Sequence, residues 1–438
     1  MKSYNHLWEQ FISTDNIILA EKNAGKGKRK NNKRHKQLRE YRTHPELYVE
    51  FFRDYAENYI AGELKTKIIN DGIKAKQREI TIPSPEEVIL HNMIVNVLKP
   101  ILMKGMYEHS YACIDGKGSI QAVKAIKKII DFEDRPEYSY EELQEIAKKK
   151  SPEKAERILK YANKSHKKRH SKVKYGFKAD IRKFFNSIDQ DKLIERLTKL
   201  IRDKKFLNLL ITVIRAVPSG LALGYTTSHW LANWFLTPLD HYIKEVLKVP
   251  YYFRFVDDIV LFDSSKKRLH QYRIAIRSIL QEEYDLELKD NWQVFLISDF
   301  TDKVKKDIEY RKQNNLPIKT KEGRFLDFLG YKFHRKNCLD NKTSRITLRK
   351  SNALRIKRKA RHIKKKGFAN IYDTRQMVTY SGIYRHCNCF RWASKYVDTN
   401  VKIKCLQYYV SKFDKEQNEI KAVEQSIEAM TAGKSLPF

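Results

Sequence analysis

Apolar and aromatic side chains dominate the stretch from Tyr251 to Phe262 on both sides of an acidic pair. This pattern predicts a buried hairpin with one strand at Tyr251–Phe255 and another at Ile259–Phe262. Asp257 and Asp258 then lie at its tip, where an unpaired carboxylate is costly unless it is neutralised or binds a cation. The pair therefore indicates a divalent metal site, and an ordinary Asp-rich turn is the alternative.

A second acidic strand end lies upstream of this hairpin. Apolar residues lead to Asp180, the aromatic pair Phe184 and Phe185 follows, and Asp189 is placed to cap the next helix. Carboxylates on neighbouring strand ends can hold two Mg²⁺ ions about 3.5–4 Å apart, the arrangement that serves phosphoryl transfer. Asp180 and the acidic pair of the hairpin thus form the candidate catalytic centre.

Basic residues also lie on a predicted strand that follows a hairpin tip at 70–72. Lys76 and Arg78 could protect an exposed sheet edge, as lysine often does. They could equally hold a triphosphate, with the guanidinium supplying a fork of donors and the ammonium a point charge. The pattern leaves both interpretations open.

The segment from Glu86 to Met103 is too densely apolar for a surface helix and predicts a core helix that stops near Lys99 and Pro100. Lys117 then lies between two glycines just before a helix that starts at Ile120, a weak indication of phosphate binding. Residues 131–172 form a predicted insertion with two helices, the first opened by a capping box of Ser139 and Glu142. Nothing in the insertion suggests chemistry.

The net charge of the chain adds more to these predictions than its length does. The 438 residues include 88 Lys and Arg against 53 Asp and Glu, a net charge of +35 that favours a long polyanion as partner. No apolar run approaches the roughly 18 residues of a spanning helix and no signal-peptide core follows Met1, so we expect a cytoplasmic protein without a membrane partner. The five cysteines are expected to pack in a reducing compartment.

Two basic segments are candidates for contact with that polyanion. The run at 25–36 is either a solvated arm or a phosphate contact. Leu348–Lys366 sets Leu354, Ile356 and Ile363 among many cations, as expected of a helix lying along a nucleic-acid backbone, with a solvated helix as the alternative. Aromatic and basic residues alternate further on, around Tyr380, and could stack on nucleotides or form a small core.

The order of these motifs resembles that of reverse transcriptases from bacterial retroelements over roughly residues 40–400. The resemblance rests on Asp180 with its aromatic pair, on the loop Gly220–Gly224 followed by Ser228 and Asn233, on Phe255–Asp258, and on Phe328–Tyr331. Four motifs in one order make it specific to polymerases.

Within that group the chain most resembles reverse transcriptases of diversity-generating retroelements, which are related to group II intron and antiphage-defence enzymes. The segments that carry this finer resemblance are Asn16–Gly27, Ser110–Gly118, Asn291–Phe295 and Leu348–Lys359. The departures are Ala222 in place of the usual proline, His229 in place of the usual glutamine, and Phe255 in place of tyrosine.

The resemblance implies an α+β fold of the right-hand polymerase type, with fingers, a palm built on an antiparallel sheet and a helical thumb. The implied limits are a basic N-terminal segment at 1–40, fingers with the insertion at 41–170, a palm at 171–335, a thumb at 336–400 and a helical extension at 401–438. It also implies deoxynucleoside triphosphates, a template RNA and its cDNA product as ligands, two Mg²⁺ ions with Mn²⁺ as a substitute, and a small basic accessory protein.

Functional residues follow from the same resemblance, in four groups. Catalysis and metal binding are assigned to Asp180, Ile181, Asp257 and Asp258, with Lys289 as a proton donor to pyrophosphate. Nucleotide binding is assigned to Lys76, Arg78, Phe184, Phe185, Ala222 and Gly224, with Phe185 under the sugar. Fidelity is assigned to Ala222 and His229, and nucleic-acid contact to Lys117, Tyr331, Arg355, Lys357, Arg358, Lys359 and Arg361.

The resulting prediction is an RNA-directed DNA polymerase that makes error-prone cDNA for a diversity-generating retroelement. One alternative keeps this chemistry in an antiphage-defence reverse transcriptase. The other is a non-catalytic RNA-binding protein on a polymerase scaffold, against which the occupation of all three acidic positions argues.

Overall fold

The computed structural model describes residues 3–26, 33–71, 76–133, 144–145, 147–156, 171–297, 309–317, 324–335 and 344–431. They divide into two units that are described separately, Met1–Ala122 with Ser139–Ile297 and Val123–Tyr138 with Ser298–Phe438. The strands, numbered along the chain, are β1 Thr66–Asp71, β2 Lys76–Thr81, β3 Tyr175–Asp180, β4 Tyr251–Phe255, β5 Asp258–Asp263, β6 Gln293–Leu296, β7 Leu326–Phe328, β8 Tyr331–His334 and β9 Arg345–Leu348.

A four-stranded antiparallel sheet in the first unit carries the predicted hairpin. Its order is β4-β5-β3-β6, so β5 and β3 are the two inner strands. Ile259, Val260, Leu261 and Phe262 are all fully buried, which explains why β5 is a continuous apolar run rather than an alternating one. The hairpin prediction is confirmed, with the second strand one residue longer at each end.

The first unit also contains the two-stranded antiparallel sheet β1-β2 and a set of helices. They are α1 Leu7–Phe11, α2 Thr14–Gly25, α3 Lys33–Thr43, α4 Val49–Glu57, α5 Pro85–Leu102, α6 Ser119–Glu133 (which continues into the second unit), α7 Phe184–Ser187, α8 Gln190–Leu200, α9 Lys204–Arg215, α10 Thr226–Phe235, α11 Thr237–His241 and α12 Lys266–Tyr284. Helix α12 packs on β3, β5 and β6. Its buried residues Leu269, Ile276 and Leu280 recur at helical spacing, as a core-facing stripe requires.

The N-terminal region contains more helix than its basic composition indicated. Phe11, Ile17 and Leu38 are fully buried, and the side-chain amide of Asn16 donates to the carbonyl of Met93 at 3.2 Å. Helices α1 to α3 are therefore packed against α5. Residues 27–32 of the basic run lie outside the described residues.

The core helix α5 begins as predicted and ends later. Ser84 caps its first turn, and Glu87 completes the capping box. The prediction that it stops near Pro100 is wrong, since it continues to Leu102. Proline in the last turn removes a single hydrogen-bond donor, and the burial of Leu102 at 0% exposure holds the turn in place.

The second unit contains the antiparallel sheet β7-β8-β9 and the helices α13 Lys350–Lys366, α14 Ile371–Tyr384, α15 Phe390–Ala393 and α16 Ile403–Thr431. Ile356 and Ile363 are buried, whereas Leu354 is 39% exposed. Tyr380 and Tyr384 are also buried, which supports the small-core interpretation of this aromatic region.

Helices and antiparallel sheets together confirm the α+β class. The capping box predicted at Ser139 and Glu142 lies outside the described residues. Within the described part of the chain, no helix combines the length and apolar character that a bilayer span requires.

Candidate active site

Strand register brings the predicted acidic residues together. Asp180 at the end of β3 is paired with Asp258 at the start of β5. The amide of Ile181 donates to the carbonyl of Asp257 at 3.2 Å, which ties the residue after β3 to the hairpin tip. Three carboxylates thus lie at one end of the two inner strands, as the sequence predicted.

The hairpin tip is a strained turn. Val256 has φ of 56°, the left-handed region that a β-branched residue rarely adopts. Such a conformation costs of order 1–3 kcal/mol and persists only where surrounding contacts hold it. The backbone immediately before Asp257 is therefore fixed by its neighbours rather than by its own preference.

The electrostatics show an excess of negative charge at this end of the sheet. Burial, together with the neighbouring carboxylates of Asp180 and Asp258, raises the pKa of Asp257 to about 6, while Lys289 opposes the shift. Like charges on adjacent residues disfavour ionisation of the group between them. A cation at this position would relieve that repulsion.

Lys289 is held against the same cluster. Its backbone amide donates to the carbonyl of Asp180 at 2.8 Å, and its ammonium group donates a hydrogen bond to Oδ1 of the same residue. The predicted proton donor is therefore an ion-pair partner of one catalytic candidate. Ile181, the other predicted contributor, is fully buried beside them.

The donor set fits a hard divalent cation. Carboxylate oxygens are the ligands that Mg²⁺ prefers, and Asp180, Asp257 and Asp258 supply only such groups. In the part of the chain that the structure describes, no three His, Cys, Asp or Glu side chains converge as a preformed metal centre. Asp180 also forms an ion pair with Lys289.

The glycine loop is anchored to the helix that follows β3. Gly220 has φ of 66°, and a Cβ on it would lie 2.3 Å from the carbonyl oxygen of Phe185. Leu221 donates its amide to that same oxygen at 2.7 Å. The buried side-chain amide of Gln190 donates to the carbonyl of Gly220 at 2.9 Å. Only glycine fits at position 220.

The far end of the loop meets the basic strand. Gly224 has φ of 126°, and a Cβ there would lie 2.1 Å from the carbonyl oxygen of Thr81. Thr81 in turn donates its amide to Leu223 at 2.6 Å. The exposed Arg78 lies three residues upstream on β2, so the structure connects this strand to the loop, while the side chain of Lys76 lies outside the described residues.

Three rings line the region between the loop and α7. Phe184 is buried and lies 5.7 Å from Phe185, which is only half-buried. His229, on α10, contacts Phe185 in turn, and burial lowers the pKa of its imidazole. Ala222 is buried at 5% exposure. The structure thus brings the predicted sugar-contacting and fidelity residues together.

Predicted nucleic-acid residues of the second unit differ in their surroundings. Arg355, Arg358 and Arg361 are exposed on α13. By contrast, the ammonium of Lys359 donates to Asp373 at 2.6 Å. Two more of the predicted residues contact other residues of the second unit. The ammonium of Lys357 lies 3.8 Å from the centroid of the Tyr396 ring. The hydroxyl of the buried Tyr331 donates to the carbonyl of Ile383 at 2.9 Å.

Lys117 of the first unit is likewise engaged internally. Its ammonium donates to the carbonyl of Glu108 at 2.6 Å and lies 5.8 Å from the ring of Tyr111. Its assignment to nucleic-acid contact stays a prediction.

Sequence reasoning missed the residues that support the site from behind. Arg254 and Asp240 are both fully buried and paired with each other, and Gln190 fastens the glycine loop. The sequence did indicate an ion-pair partner for Arg254, because an arginine within an otherwise apolar strand is rarely buried without a partner.

Residues 68–333 match the family described as reverse transcriptase (RNA-dependent DNA polymerase). No curated protein matches the chain. Among solved structures it is similar to a chain of telomerase from Candida albicans in complex with a TWJ fragment of telomeric RNA, with 12% identity and a TM-score of 0.41. The alignment covers 73% of this chain and 55% of that one, so this chain spans about half the length of its structural relative.

Proposed function

Since the chain belongs to the reverse transcriptase family, we propose that it is an active RNA-directed DNA polymerase whose catalytic carboxylates are Asp180, Asp257 and Asp258. The family match also confirms the right-hand polymerase fold expected from the sequence. The observation that carries the catalytic proposal is the pairing of Asp180 with Asp258 at one end of the inner strands, with Asp257 in the turn between β4 and β5.

The reaction extends a primer by one deoxynucleotide. The primer 3′-oxygen forms a bond to the α-phosphorus, the bond from that phosphorus to the bridging oxygen breaks, and pyrophosphate leaves. The three carboxylates would hold two divalent cations, for which we propose Mg²⁺ with Mn²⁺ as a substitute. When bound, such cations lower the pKa of the attacking hydroxyl and stabilise the charge that develops on the leaving group.

The chain itself supplies positioning and charge. Arg78 would bind the triphosphate through its guanidinium fork, and Lys76 is proposed beside it. Phe185 would lie under the sugar. Ala222 and Gly224 would form the floor beneath the templating base pair, in a loop whose two ends are fastened to α7 and β2.

Lys289 is proposed as the proton donor to pyrophosphate. Its ammonium group donates a hydrogen bond to Asp180, which places it beside the proposed catalytic carboxylates. A proton passed from this ammonium would neutralise the leaving oxygen.

We propose fingers at 41–170, a palm at 171–335, a thumb at 336–400 and flanking segments at 1–40 and 401–438. The exposed cations of α13 support the thumb assignment. Arg355, Lys357, Arg358, Lys359 and Arg361 would follow the phosphate backbone, with Lys117 and Tyr331 as further contacts.

The biological role that we propose is error-prone cDNA synthesis for a diversity-generating retroelement, assisted by a small basic accessory protein. Support comes from the segments Ser110–Gly118, Asn291–Phe295 and Leu348–Lys359. Antiphage defence is the second candidate, favoured by the departures Ala222 and His229. A template repeat and a variable repeat beside the gene would identify the first role.

The enzymatic proposal is tested by primer extension on a defined RNA. The purified chain, a matched DNA primer, the four deoxynucleotides and Mg²⁺ should give full-length cDNA, and withholding one nucleotide should stop synthesis at its first template partner. Tight RNA binding without extension would favour the non-catalytic alternative.

A further inference from the structure

Arg254 lies on β4, two residues before the strained turn, and its side chain has 0% exposure. It forms an ion pair with Asp240 of α11, which is equally buried. The pair is bidentate: Nε lies 2.7 Å from Oδ1 and Nη2 lies 2.6 Å from Oδ2. A buried charge pair of this kind is a weak source of stability, because desolvation offsets most of the attraction. The presence of this pair in the core is therefore not explained by its contribution to stability.

All five N–H groups of Arg254 have an acceptor. Beyond the two on Asp240, Nη1 donates to Oδ1 of Asn233 at 2.7 Å and to the carbonyl oxygen of Val256 at 3.2 Å. Nη2 also donates to the carbonyl of Asn233, at 3.1 Å. The guanidinium is planar, so bonds in five directions fix its position and orientation.

One of these acceptors belongs to the catalytic turn. The carbonyl of Val256 is part of the peptide that joins Val256 to Asp257, and Val256 is the residue with φ of 56°. A hydrogen bond to that oxygen sets the plane of the peptide from which the Asp257 side chain extends. A strained backbone is stable only where such contacts over-determine it.

We propose that Arg254 is a positioning residue for the polymerase reaction, which holds the turn bearing Asp257 in its productive conformation through the carbonyl of Val256. Asp240 and Asn233 hold the guanidinium group of Arg254 in place. Its hydrogen bond to the carbonyl of Val256 then restrains the turn. This inference rests on the proposed catalytic function of Asp257.

The same network extends to the segment around Ser110. The hydroxyl of Ser110 donates to Oδ1 of Asn233 at 3.1 Å, and the amide of Asn233 donates to the carbonyl of Ala112 at 3.0 Å. Backbone bonds from Arg254 to His109 and from Tyr111 to Arg254 complete the connection. Arg254 thus joins the segment preceding the Gly116–Gly118 loop to the catalytic turn.

The test is Arg254→Lys, which keeps the positive charge but cannot reproduce five planar donors. The matched control is Arg268→Lys, since Arg268 binds the fully buried Asp263 at the opposite end of β5 from the turn. For each variant, the extension rate at saturating nucleotide, the KM for nucleotide and the melting temperature are measured, with rates compared only at temperatures where circular dichroism shows both proteins folded.

A displaced catalytic group lowers the rate of chemistry while substrate binding is spared, and about 1 Å of misplacement can cost about 100-fold. We therefore expect Arg254→Lys to lose at least about tenfold in rate with KM changed by less than about threefold, and Arg268→Lys to stay within about threefold of wild type in rate.

A rate for Arg254→Lys within about threefold of wild type, or equal rate losses in both variants, would overturn the inference. If Arg254→Lys has no folded state at any temperature, the pair Arg254→Met with Asp240→Leu replaces it under the same criteria, because removal of both buried charges is commonly tolerated. Extension by Asp257→Asn at the wild-type rate would instead defeat the proposed function itself, so the two failures are distinguishable.

Discussion

The ring of His229 meets the ring of Phe185 edge to face, with centroids 5.3 Å apart and planes at 78°. Edge-to-face pairs of this kind contribute about 0.5–1.5 kcal/mol beyond the area they bury. The carbonyl of Phe185 also accepts the amide of Leu221 in the glycine loop. Sugar selection and template pairing are therefore expected to be coupled in this enzyme.

Phe185→Ala should allow ribonucleotides to be incorporated, because the bulky ring that would overlap a 2′-hydroxyl is removed. The measurement is the ratio of extension rates with ribonucleotides and deoxynucleotides. Phe184→Ala tests the neighbouring ring: Phe184 is 3% exposed, and loss of such a core ring costs about 3–5 kcal/mol of stability. A folded Phe185→Ala protein that still rejects ribonucleotides would show that the other aromatic ring contacts the sugar.

His229→Gln combined with Ala222→Pro should change the error spectrum more than the extension rate. We expect the natural protein to misincorporate opposite template adenine. Histidine is shorter than glutamine and ring-shaped, so it cannot make the same contact, and alanine leaves the loop without the restraint that proline imposes.

Sequencing of cDNA made by both proteins on one RNA measures this effect. Uniformly low error at all four template bases in both proteins would reject the mutagenic role and favour antiphage defence. If His229 only packs against Phe185, the double change would alter the melting temperature alone.

The grouping of Asp180 with the acidic pair of the hairpin was predictable from the sequence because it depends on local patterns. Apolar strands flanking Asp257, and a strand ending on Asp180, require nothing beyond periodicity and the cost of buried charge. The supporting contacts were not predictable, since Arg254 reaches Asp240 across 14 residues and Lys289 reaches Asp180 across 109. Such partners are set by tertiary packing.

The predicted limits of some helices were wrong for the same reason. Pro100 reads locally as a helix end, yet burial of Leu102 carries α5 past it. Helix α3 was likewise hidden by its basic composition, although Leu38 packs in the core. A local sequence pattern reflects the intrinsic conformational preference of a segment. Where tertiary packing conflicts with that preference, packing determines the structure.

Replacing Arg358 and Arg361 by alanine should flatten the salt dependence of RNA affinity. Each lost phosphate contact reduces the slope of log affinity against log salt by about 0.7 to 0.9. Lys199→Ala is the control, because Lys199 is an exposed cation of α8 that pairs with Glu195 and has no proposed role in nucleic-acid contact, and we expect it to leave the slope unchanged. A double variant with an unchanged slope would remove α13 from the binding surface.

Acid should destabilise the protein through His91. Burial lowers the pKa of this imidazole from 6.5 to about 3, and its Nδ1 lies 3.0 Å from the hydroxyl of Thr227. As the pH falls below 6.5, the imidazole takes up a proton in the unfolded chain but stays neutral in the folded chain. The contribution of His91 to the free energy of unfolding is therefore complete above pH 6.5 and is lost towards pH 3.

Between about pH 7.5 and pH 5 the loss from His91 amounts to about 2 kcal/mol of unfolding free energy. Denaturant titrations at the two pH values measure it. His91→Phe, which has no titratable nitrogen, should show a correspondingly smaller decrease, and equal decreases in both proteins would contradict the assignment.

We propose that Asp257 belongs to a carboxylate centre that binds metal and catalyses RNA-templated DNA synthesis. The most direct test of this claim is Mg²⁺-dependent primer extension by Asp257→Asn, with Asp290→Asn as control because Asp290 is an exposed carboxylate of the same unit. The amide keeps the shape but loses the charge that holds the cation. We predict that extension by Asp257→Asn is abolished while its RNA affinity and the activity of the control are retained; extension by Asp257→Asn within about tenfold of wild type would contradict the claim.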